Sequence, residues 1–409
     1  MAWLAKLLAR IGICGLALLL SALNTHARAQ VFPVCSWPFE SDGHGITNVA
    51  TPDTHATYWV MPFDTTTWKS MVIRGEYAQA RFFNFDSYTE TGAIVASVVD
   101  SSITPDPGSS NPFATPNPSG ARNYAVTVGA SGPSNLLKVG STRLAFIVYR
   151  VYLPNEGLDR TGGVGLPAVS LVASNGTERA LLPCPFADAE TSLGNLIIAL
   201  SVNGFTEGAS FLQSILTAVN QRPIGTASCN PAQPGPAAVS FAPATLGANF
   251  FANPQTTYLE TDALCFQQGK VIVVRGKGQV FPNTYLGGSV FQPAFDGQIQ
   301  VRYWSMCNND RVIPYPVIAC QADYQTALGS DQFYTYVMSS DPALPSWLPA
   351  GVTWLPWGPT NIPKNLIFRN INETASGVPA DYVPKGAFCD QTVFAQQGWQ
   401  ACFAAAGIH

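Results

Sequence analysis

The sequence predicts a mainly β protein made of two tandem jelly-roll or β-sandwich domains, which arose by internal duplication and each end in a short helical segment. The chain has 35 glycines and 32 prolines between short apolar runs, which is typical of β structure with many turns. Only 11% of the residues are charged, against roughly 25% in a usual soluble chain, and 47% are hydrophobic. Apolar and polar residues alternate imperfectly in the strand-like runs, which suits strands that are covered on both faces. Several short motifs also occur twice, roughly 200 residues apart.

The repeated motifs fall in the same order in both parts of the chain. Thr57-Tyr58 recurs as Thr257-Tyr258, Arg74-Gly75 as Arg275-Gly276, and Arg81-Phe82-Phe83 as Arg302-Tyr303-Trp304. The second copy carries an insertion, residues 277–296, between the second and third of these motifs. Features found in both copies are expected to serve the fold, with the arginines binding carboxylates or loop carbonyls and the glycines allowing turns or bulges. Features found in one copy are better candidates for a functional site.

The first 29 residues have the organisation of a signal peptide. Lys6 and Arg10 precede the apolar run IGICGLALLL, and Ala27 and Ala29 form a small-residue cleavage site. The apolar run is too short to cross a bilayer. We therefore expect an exported protein, periplasmic or secreted, without stable membrane insertion.

Composition shifts divide the rest of the chain. We expect a first domain at 30–222, a Pro/Gly-rich linker at 223–236 and a second domain at 237–409. The runs at 189–202 and 209–219 have helical spacing and should end the first domain.

The mature chain would keep an even number of cysteines, which are Cys35, Cys184, Cys229, Cys265, Cys307, Cys320, Cys389 and Cys402. An exported chain with this count favours disulfides, whereas the absence of a C-x-x-C pair and the presence of only 4 histidines argue against a metal site. Eight cysteines allow 105 pairings, among which Cys307–Cys320 would clip a hairpin and Cys389–Cys402 would pin a C-terminal helix. No metal and no cofactor is expected.

The charge pattern limits the partners. The net charge is -4 and no basic run occurs, so a nucleic acid is not an expected partner. A small-molecule or polymer ligand fits better, and the oligomeric state stays open.

Two stretches resemble a bacterial exported tandem β-domain family of unknown function. PDTHATYW…VIRGEYAQARFFNF is similar to the D-T-x-Y signature and aromatic strand of its first domain, and VRYWSM with WLPAGVTWLPWGP…NLIFRNI is similar to its second domain with the W-L-P motif. Thr353-Trp354 stands where that family has Asn-Trp. The resemblance implies the fold and the export, and it brings no established reaction.

The catalytic candidates come from the first copy. Asp53 and His55 would share one face of a strand, where a carboxylate can orient an imidazole as a base, and Arg81 would bind an anionic or carbonyl oxygen. Four aromatic residues are candidates for substrate binding: Tyr58, Trp59, Trp354 and Trp357. This arrangement predicts a metal-independent hydrolase or lyase that uses acid–base residues in an aromatic-lined pocket.

Each candidate has a structural alternative. Asp53 would cap a turn after Pro52, and the tryptophans would pack in the core. Asp106 and Asn111 in the loop TPDPGSSNPF are candidates for Ca²⁺ or ligand contacts through their oxygens, and in the structural alternative they would bind their own backbone. No G-x-S-x-G, H-E-x-x-H or P-loop motif is present. The alternative function is therefore a non-catalytic exported ligand-binding or surface-interaction protein.

Overall fold

A computed structural model describes residues 35–184, 229, 237–244, 251–291, 301–312, 314–371 and 378–408. The described residues all belong to one compact unit, Pro33–His409. The predicted signal peptide, both helix-like runs of the first domain and all of the linker except Cys229 lie outside the described residues. Within the described part, no helix has the length and apolar character needed to cross a membrane.

The first half of the chain forms two five-stranded sheets. Its strands are β1 (Phe39–Ser41), β2 (Ala56–Asp64), β3 (Ser70–Glu76), β4 (Ala80–Thr89), β5 (Ile94–Val99), β6 (Asn123–Gly129), β7 (Leu136–Lys138), β8 (Leu144–Pro154), β9 (Ala168–Val172) and β10 (Glu178–Leu181). The sheet orders are β1-β2-β8-β4-β5 and β10-β9-β3-β6-β7. The central pair β4 and β8 is buried along nearly its whole length, since its aromatic and β-branched side chains are covered on both faces.

The second half forms one nine-stranded sheet, so the protein is mainly β throughout. Its strands are β11 (Ala238–Pro243), β12 (Thr256–Thr261), β13 (Lys270–Lys277), β14 (Tyr303–Asp310), β15 (Val317–Ala322), β16 (Phe333–Ser339), β17 (Thr353–Pro356), β18 (Lys364–Ile371) and β19 (Lys385–Asp390). Their order is β15-β14-β18-β12-β11-β19-β13-β16-β17. The two outer strands, β15 and β17, contact each other, which makes the sheet nearly barrel-like.

Helical structure is sparse in the described residues. The helix α1 (Gln391–Ala405) follows β19 and buries Phe394, Cys402 and Phe403. Four single 3-10 turns are present, at Gly45–Thr47, Asp100–Ser102, Asp323–Gln325 and Ala380–Tyr382. The helical segment predicted at the end of the second domain is therefore observed as α1.

The strand orders of the two halves correspond. The order β1-β2-β8-β4-β5 corresponds strand for strand to the order β11-β12-β18-β14-β15. In the same way, β9-β3-β6-β7 corresponds to β19-β13-β16-β17. The last two strands of each second series, β6–β7 and β16–β17, are paired in parallel. Arg74 lies in β3 and Arg275 in β13, and each pairs with a surface carboxylate, of Glu178 and Asp331 respectively.

The glycines after these arginines have a different role from the predicted turn or bulge. Gly75 lies opposite Tyr124 and Gly276 opposite Tyr334, within unbroken strand registers. A Cβ on Gly75 would lie 2.8 Å from the hydroxyl of Tyr124, and one on Gly276 would overlap the ring of Tyr334. The glycines leave room for a buried tyrosine on the neighbouring strand, so the prediction of a turn or bulge was wrong.

Replacing Gly276 with alanine should lower the free energy of unfolding by about 1–3 kcal/mol, because the added methyl group overpacks a rigid contact with Tyr334. Denaturant unfolding measures the loss. The matched control is Gly140→Ala, where the nearest atom would lie at an ordinary 3.5 Å. Equal unfolding free energies for the two variants would contradict the proposed close contact between position 276 and Tyr334.

Four disulfides join all eight predicted cysteines: Cys35–Cys184, Cys229–Cys265, Cys307–Cys320 and Cys389–Cys402. Cys307–Cys320 crosses β14 and β15, and Cys389–Cys402 ties β19 to α1. The two predicted pairings are confirmed. Disulfides of this number indicate an oxidising environment outside the cytoplasm.

Candidate functional site

Two short segments connect the halves, one before β2 that contains Ala50 and Thr51 and one before β12 that contains Phe251. We call these segments the exchanged arms. In the arm before β2, the N–H groups of Ala50 and Thr51 donate to the carbonyls of Pro314 and Tyr315, both at 2.8 Å, in the β14–β15 turn. In the arm before β12, Phe251 donates to the carbonyl of Gly92 in the β4–β5 turn at 2.9 Å. Each half therefore lays an arm across the corresponding hairpin of the other half.

Arg81 and Arg302 lie in this contact region, and each forms an ion pair with an aspartate of the other half. We call these two contacts the reciprocal ion pairs. Arg81 Nη1 donates to Asp323 Oδ2 at 2.6 Å, and Arg302 Nη2 donates to Asp100 Oδ2 at 3.1 Å. Each arginine also donates to the main-chain carbonyl of the other, at 3.3 and 2.7 Å. Burial raises the pKa of Asp323 to about 6, and the charge of Arg81 opposes that rise. All four side chains join the halves and are buried.

Asp53, the first catalytic candidate, is fully buried in the same region. Its carboxylate accepts hydrogen bonds from Tyr303 Oη at 3.0 Å, Ser305 Oγ at 2.6 Å and the N–H of His55 at 2.9 Å. Burial alone would raise the pKa of Asp53, but the contact with His55 and the charge of Arg369 outweigh it and hold the pKa below its usual range. Asp53 is therefore ionised and its oxygens are occupied.

The presence of Asp53 in the first half alone has a structural explanation. Arg150 in β8 and Arg369 in β18 stand opposite Tyr58 and Tyr258 in matching registers. Arg150 is neutralised by Asp86 of its own half, whereas Asp53 of the first half supplies the negative charge near Arg369. Asn253 takes the place of Asp53 in the second half. The N–H of Asp53 donates to the hydroxyl of Tyr58, and the N–H of Asn253 donates to the hydroxyl of Tyr258. The carboxylate of Asp53 thus balances the buried charge of Arg369.

His55 lies beside Asp53. Its Nδ1 is 3.5 Å from Asp53 Oδ1, and 14% of the side chain is exposed. The ring packs edge-on against Tyr324. The structure therefore brings two of the three predicted catalytic residues together, while Arg81 is engaged by Asp323.

The sulfur atoms of Cys307 and Cys320 also lie close to Asp53, with one atom from each of the three residues within 4.8 Å of the others. Both sulfurs are joined in a disulfide. The disulfide leaves neither sulfur as a thiolate, which is the form that binds metals.

The four predicted substrate-binding aromatics do not share a pocket wall in the described structure. Trp59 and Trp357 are each 1% exposed; Trp59 stacks on Tyr149 and its indole N–H donates to Glu40 at 2.7 Å. Tyr58 and Trp354 are half-buried. The two buried tryptophans serve the core, as the structural alternative predicted.

A cleft of about 310 Å³ opens elsewhere in the first half, at the end of β3 and the start of β6. It is lined by Glu76, Tyr77, Gln79, Gly120, Ala121, Arg122 and Val164. These residues come from the end of β3, the β3–β4 turn, the loop at 103–122 and the loop at 155–167. The sequence shows both loops as Pro/Gly-rich, but it contains no signal that they meet.

The cleft carries charges of both signs. The side chains of Glu76, which is exposed, and Arg122, which is half-buried, form no ion pair or hydrogen bond with any described residue. Tyr77 forms the floor, where its N–H donates to the carbonyl of Arg122 at 2.9 Å and its hydroxyl to that of Ile103 at 2.7 Å. The backbone of the cleft is therefore fixed while two opposite charges remain available.

The corresponding part of the second half carries the insertion. There, β13 leads into the insertion, whose described part, 277–291, buries Gln279 and Thr284. Thr284 accepts a hydrogen bond from Arg81 Nε at 2.8 Å, and the carbonyl of Gln279 accepts one from Trp304 at 3.1 Å. The insertion thus closes over the contact between the halves, and the described cleft is a feature of the first half.

Comparison with solved structures supports the fold. The chain is similar to an uncharacterised protein from Burkholderia cenocepacia at 12% identity and a TM-score of 0.52, over 88% of this chain and 84% of that one. It is also similar to a protein from Vibrio parahaemolyticus at 11% identity and a TM-score of 0.43, over 83% of this chain and 90% of that one. No known protein family and no curated protein matches the sequence. The Burkholderia structure shows a shared fold and carries no functional information.

Proposed function

We propose that this protein is an exported, non-catalytic ligand-binding protein, whose ligand site is the cleft of the first half. The observation that carries the proposal is the cleft itself: the loops at 103–122 and 155–167 converge there around Glu76 and Arg122, whose side chains form no ion pair or hydrogen bond with any described residue. A concave site with a few convergent polar groups is the usual form of a small-molecule site.

The contacts of the predicted catalytic residues Arg81 and Asp53 also support a non-catalytic function. Arg81 is bound by Asp323, and Asp53 by Tyr303 and Ser305, in fully buried positions between the halves. Residues engaged in this way serve the scaffold, and a substrate would have to displace buried hydrogen bonds to reach them.

The scaffold of this proposal consists of two jelly-roll domains derived by internal duplication. Support comes from the corresponding strand orders, from the matching places of Arg74 and Arg275, and from the reciprocal contacts of Arg81 and Arg302. We propose domain boundaries at 30–222 and 237–409, joined by the linker at 223–236.

The proposed location is the periplasm or the exterior of the cell. Four disulfides in the described residues fit an oxidising compartment. The n-region, apolar run and Ala27-x-Ala29 site at the start of the sequence fit cleavage after residue 29.

Replacing Ala121 with tryptophan tests the site. Ala121 is exposed and lines the cleft, so the larger ring should fill it and abolish ligand binding. The free energy of unfolding should change by less than about 0.5 kcal/mol. A fragment library screened by NMR of the labelled protein, with resonances of the cleft residues as the readout, measures the binding.

Ala114→Trp is the matched control, because Ala114 is an exposed residue of the same loop outside the cleft lining. Fragments that bind the native protein should also bind this variant. If no fragment shifts the cleft resonances of the native protein, or if Ala121→Trp binds as well as Ala114→Trp, the proposed site is wrong.

The second candidate function is the metal-independent hydrolase or lyase, and the contact between Asp53 and His55 favours it. An ionised carboxylate lies 3.5 Å from a partly exposed imidazole, an arrangement that suits a general base. The same variants separate the two functions: an activity that persists unchanged in Ala121→Trp would assign the chemistry to His55 and not to the cleft.

A further inference from the structure

We infer that the ligand of the cleft is a small zwitterion, a molecule that carries a carboxylate and an ammonium group, as a short peptide does. This inference rests on the proposed function, because it names the class of ligand for the same site. Arg122 would receive the carboxylate and Glu76 the ammonium group.

The first argument is the charge inventory of the cleft. Arg122 and Glu76 line one cleft and carry opposite charges, yet they form no ion pair with each other or with any other described residue. A guanidinium binds a carboxylate through two parallel N–H groups. A ligand with both charges satisfies both side chains, whereas a ligand with a single charge leaves one of them unpaired.

The second argument is the shape of the cleft. Gly120 and Ala121 line it with little or no side chain, and Gly120 has a φ of +83° that other residues rarely adopt. Tyr77 closes the floor and is itself fully buried, so no exposed aromatic ring is available as a stacking platform for a sugar. A volume of about 310 Å³ suits a molecule of a few residues.

The third argument concerns the surroundings of the floor. Burial raises the pKa of Tyr77 above its usual range, and the charges of Asp100 and Asp106 add to the rise. Asp100 is engaged by Arg302, while Asp106, a residue of the loop at 103–122, brings a second carboxylate near the floor. Glu76 in the cleft lining and Asp106 near Tyr77 outnumber the one arginine, which favours a ligand with a cationic end over a purely anionic one.

The experiment uses residues 30–409 with their disulfides intact and four probes, measured by titration calorimetry. The probes are the dipeptide alanyl-alanine, its N-acetyl form, its C-terminal amide and the neutral disaccharide maltose. The unmodified dipeptide should bind most tightly, and each blocked form should bind at least about tenfold more weakly. Maltose should not bind.

Variants assign each end of the ligand. In Arg122→Gln the dipeptide should bind no better than its amide, since the carboxylate has lost its partner. In Glu76→Gln the dipeptide should bind no better than its N-acetyl form. Arg74→Gln is the control, because Arg74 lies in the same strand but outside the cleft, and it should leave all four affinities unchanged.

The outcomes separate this inference from the function on which it rests. Blocked and unblocked dipeptides that bind equally, or maltose binding without dipeptide binding, would overturn the zwitterion and leave a ligand-binding cleft. Absence of binding by all four probes overturns the zwitterion as well, and the fragment screen against Ala121→Trp then decides whether the cleft binds anything.

Discussion

Replacing Arg81 with alanine should destabilise the protein by about 3–5 kcal/mol, because the change leaves the fully buried carboxylate of Asp323 without its cation. It also removes the hydrogen bonds to Thr284 and to the carbonyl of Arg302. Thermal and denaturant unfolding of the full chain measure the loss. The effect should extend to both halves, since Arg81 belongs to one and Asp323 to the other.

The control is Arg74→Ala, which removes an arginine of the same half from an exposed ion pair with Glu178. Exposed pairs contribute about 0–1 kcal/mol. A combined Arg81→Met and Asp323→Leu variant should recover much of the lost stability, since an apolar pair of similar volume replaces a buried ion pair at little cost. A loss in Arg81→Ala as small as that in Arg74→Ala would contradict the role assigned to the reciprocal ion pairs.

Removing the disulfide Cys35–Cys184 by a double serine substitution should lower the free energy of unfolding by about 5 kcal/mol. This disulfide closes a loop with a sequence separation of 149, and the loss of unfolded-chain entropy increases with the length of the closed loop. Denaturant unfolding without reductant measures the change.

The Cys389–Cys402 disulfide provides the comparison, because its sequence separation is only 13. The same entropy argument gives about 3 kcal/mol for its removal. An equal or larger loss at Cys389–Cys402 would mean that local strain or packing of α1, and not loop length, sets the contribution of these disulfides.

The sequence predicted the β class and the paired motifs well, because both depend on local pattern. Arg74-Gly75 and Arg275-Gly276 end apolar runs of β-branched residues, and such runs form strands wherever the chain places them. The reason for the glycines was not visible, since it depends on Tyr124 and Tyr334, which reach each glycine only across a strand pair.

The site was harder to predict, for reasons that lie in long-range charge balance. In the sequence Asp53 occurs in one half alone, but Arg369, the arginine whose charge it opposes, lies in β18, between β14 and β12. The second half shows no such carboxylate because Asp86 balances Arg150 within the first half. The cleft could not be predicted from the sequence for a related reason. Its lining residues Glu76, Ala121 and Val164 come together only when three separate connections have folded.

The exchanged arms have a consequence for the order in which the chain can fold. The N–H of Thr51 can donate to the carbonyl of Tyr315 only after the β14–β15 turn has been synthesised. Until then, the arm before β2 has no hydrogen-bond partner in the second half. Contacts between residues so far apart in sequence slow folding, because a long loop must close before they contribute. A nascent chain in this state exposes unpaired backbone groups to its neighbours, and completion of the native state is therefore deferred until both halves have emerged.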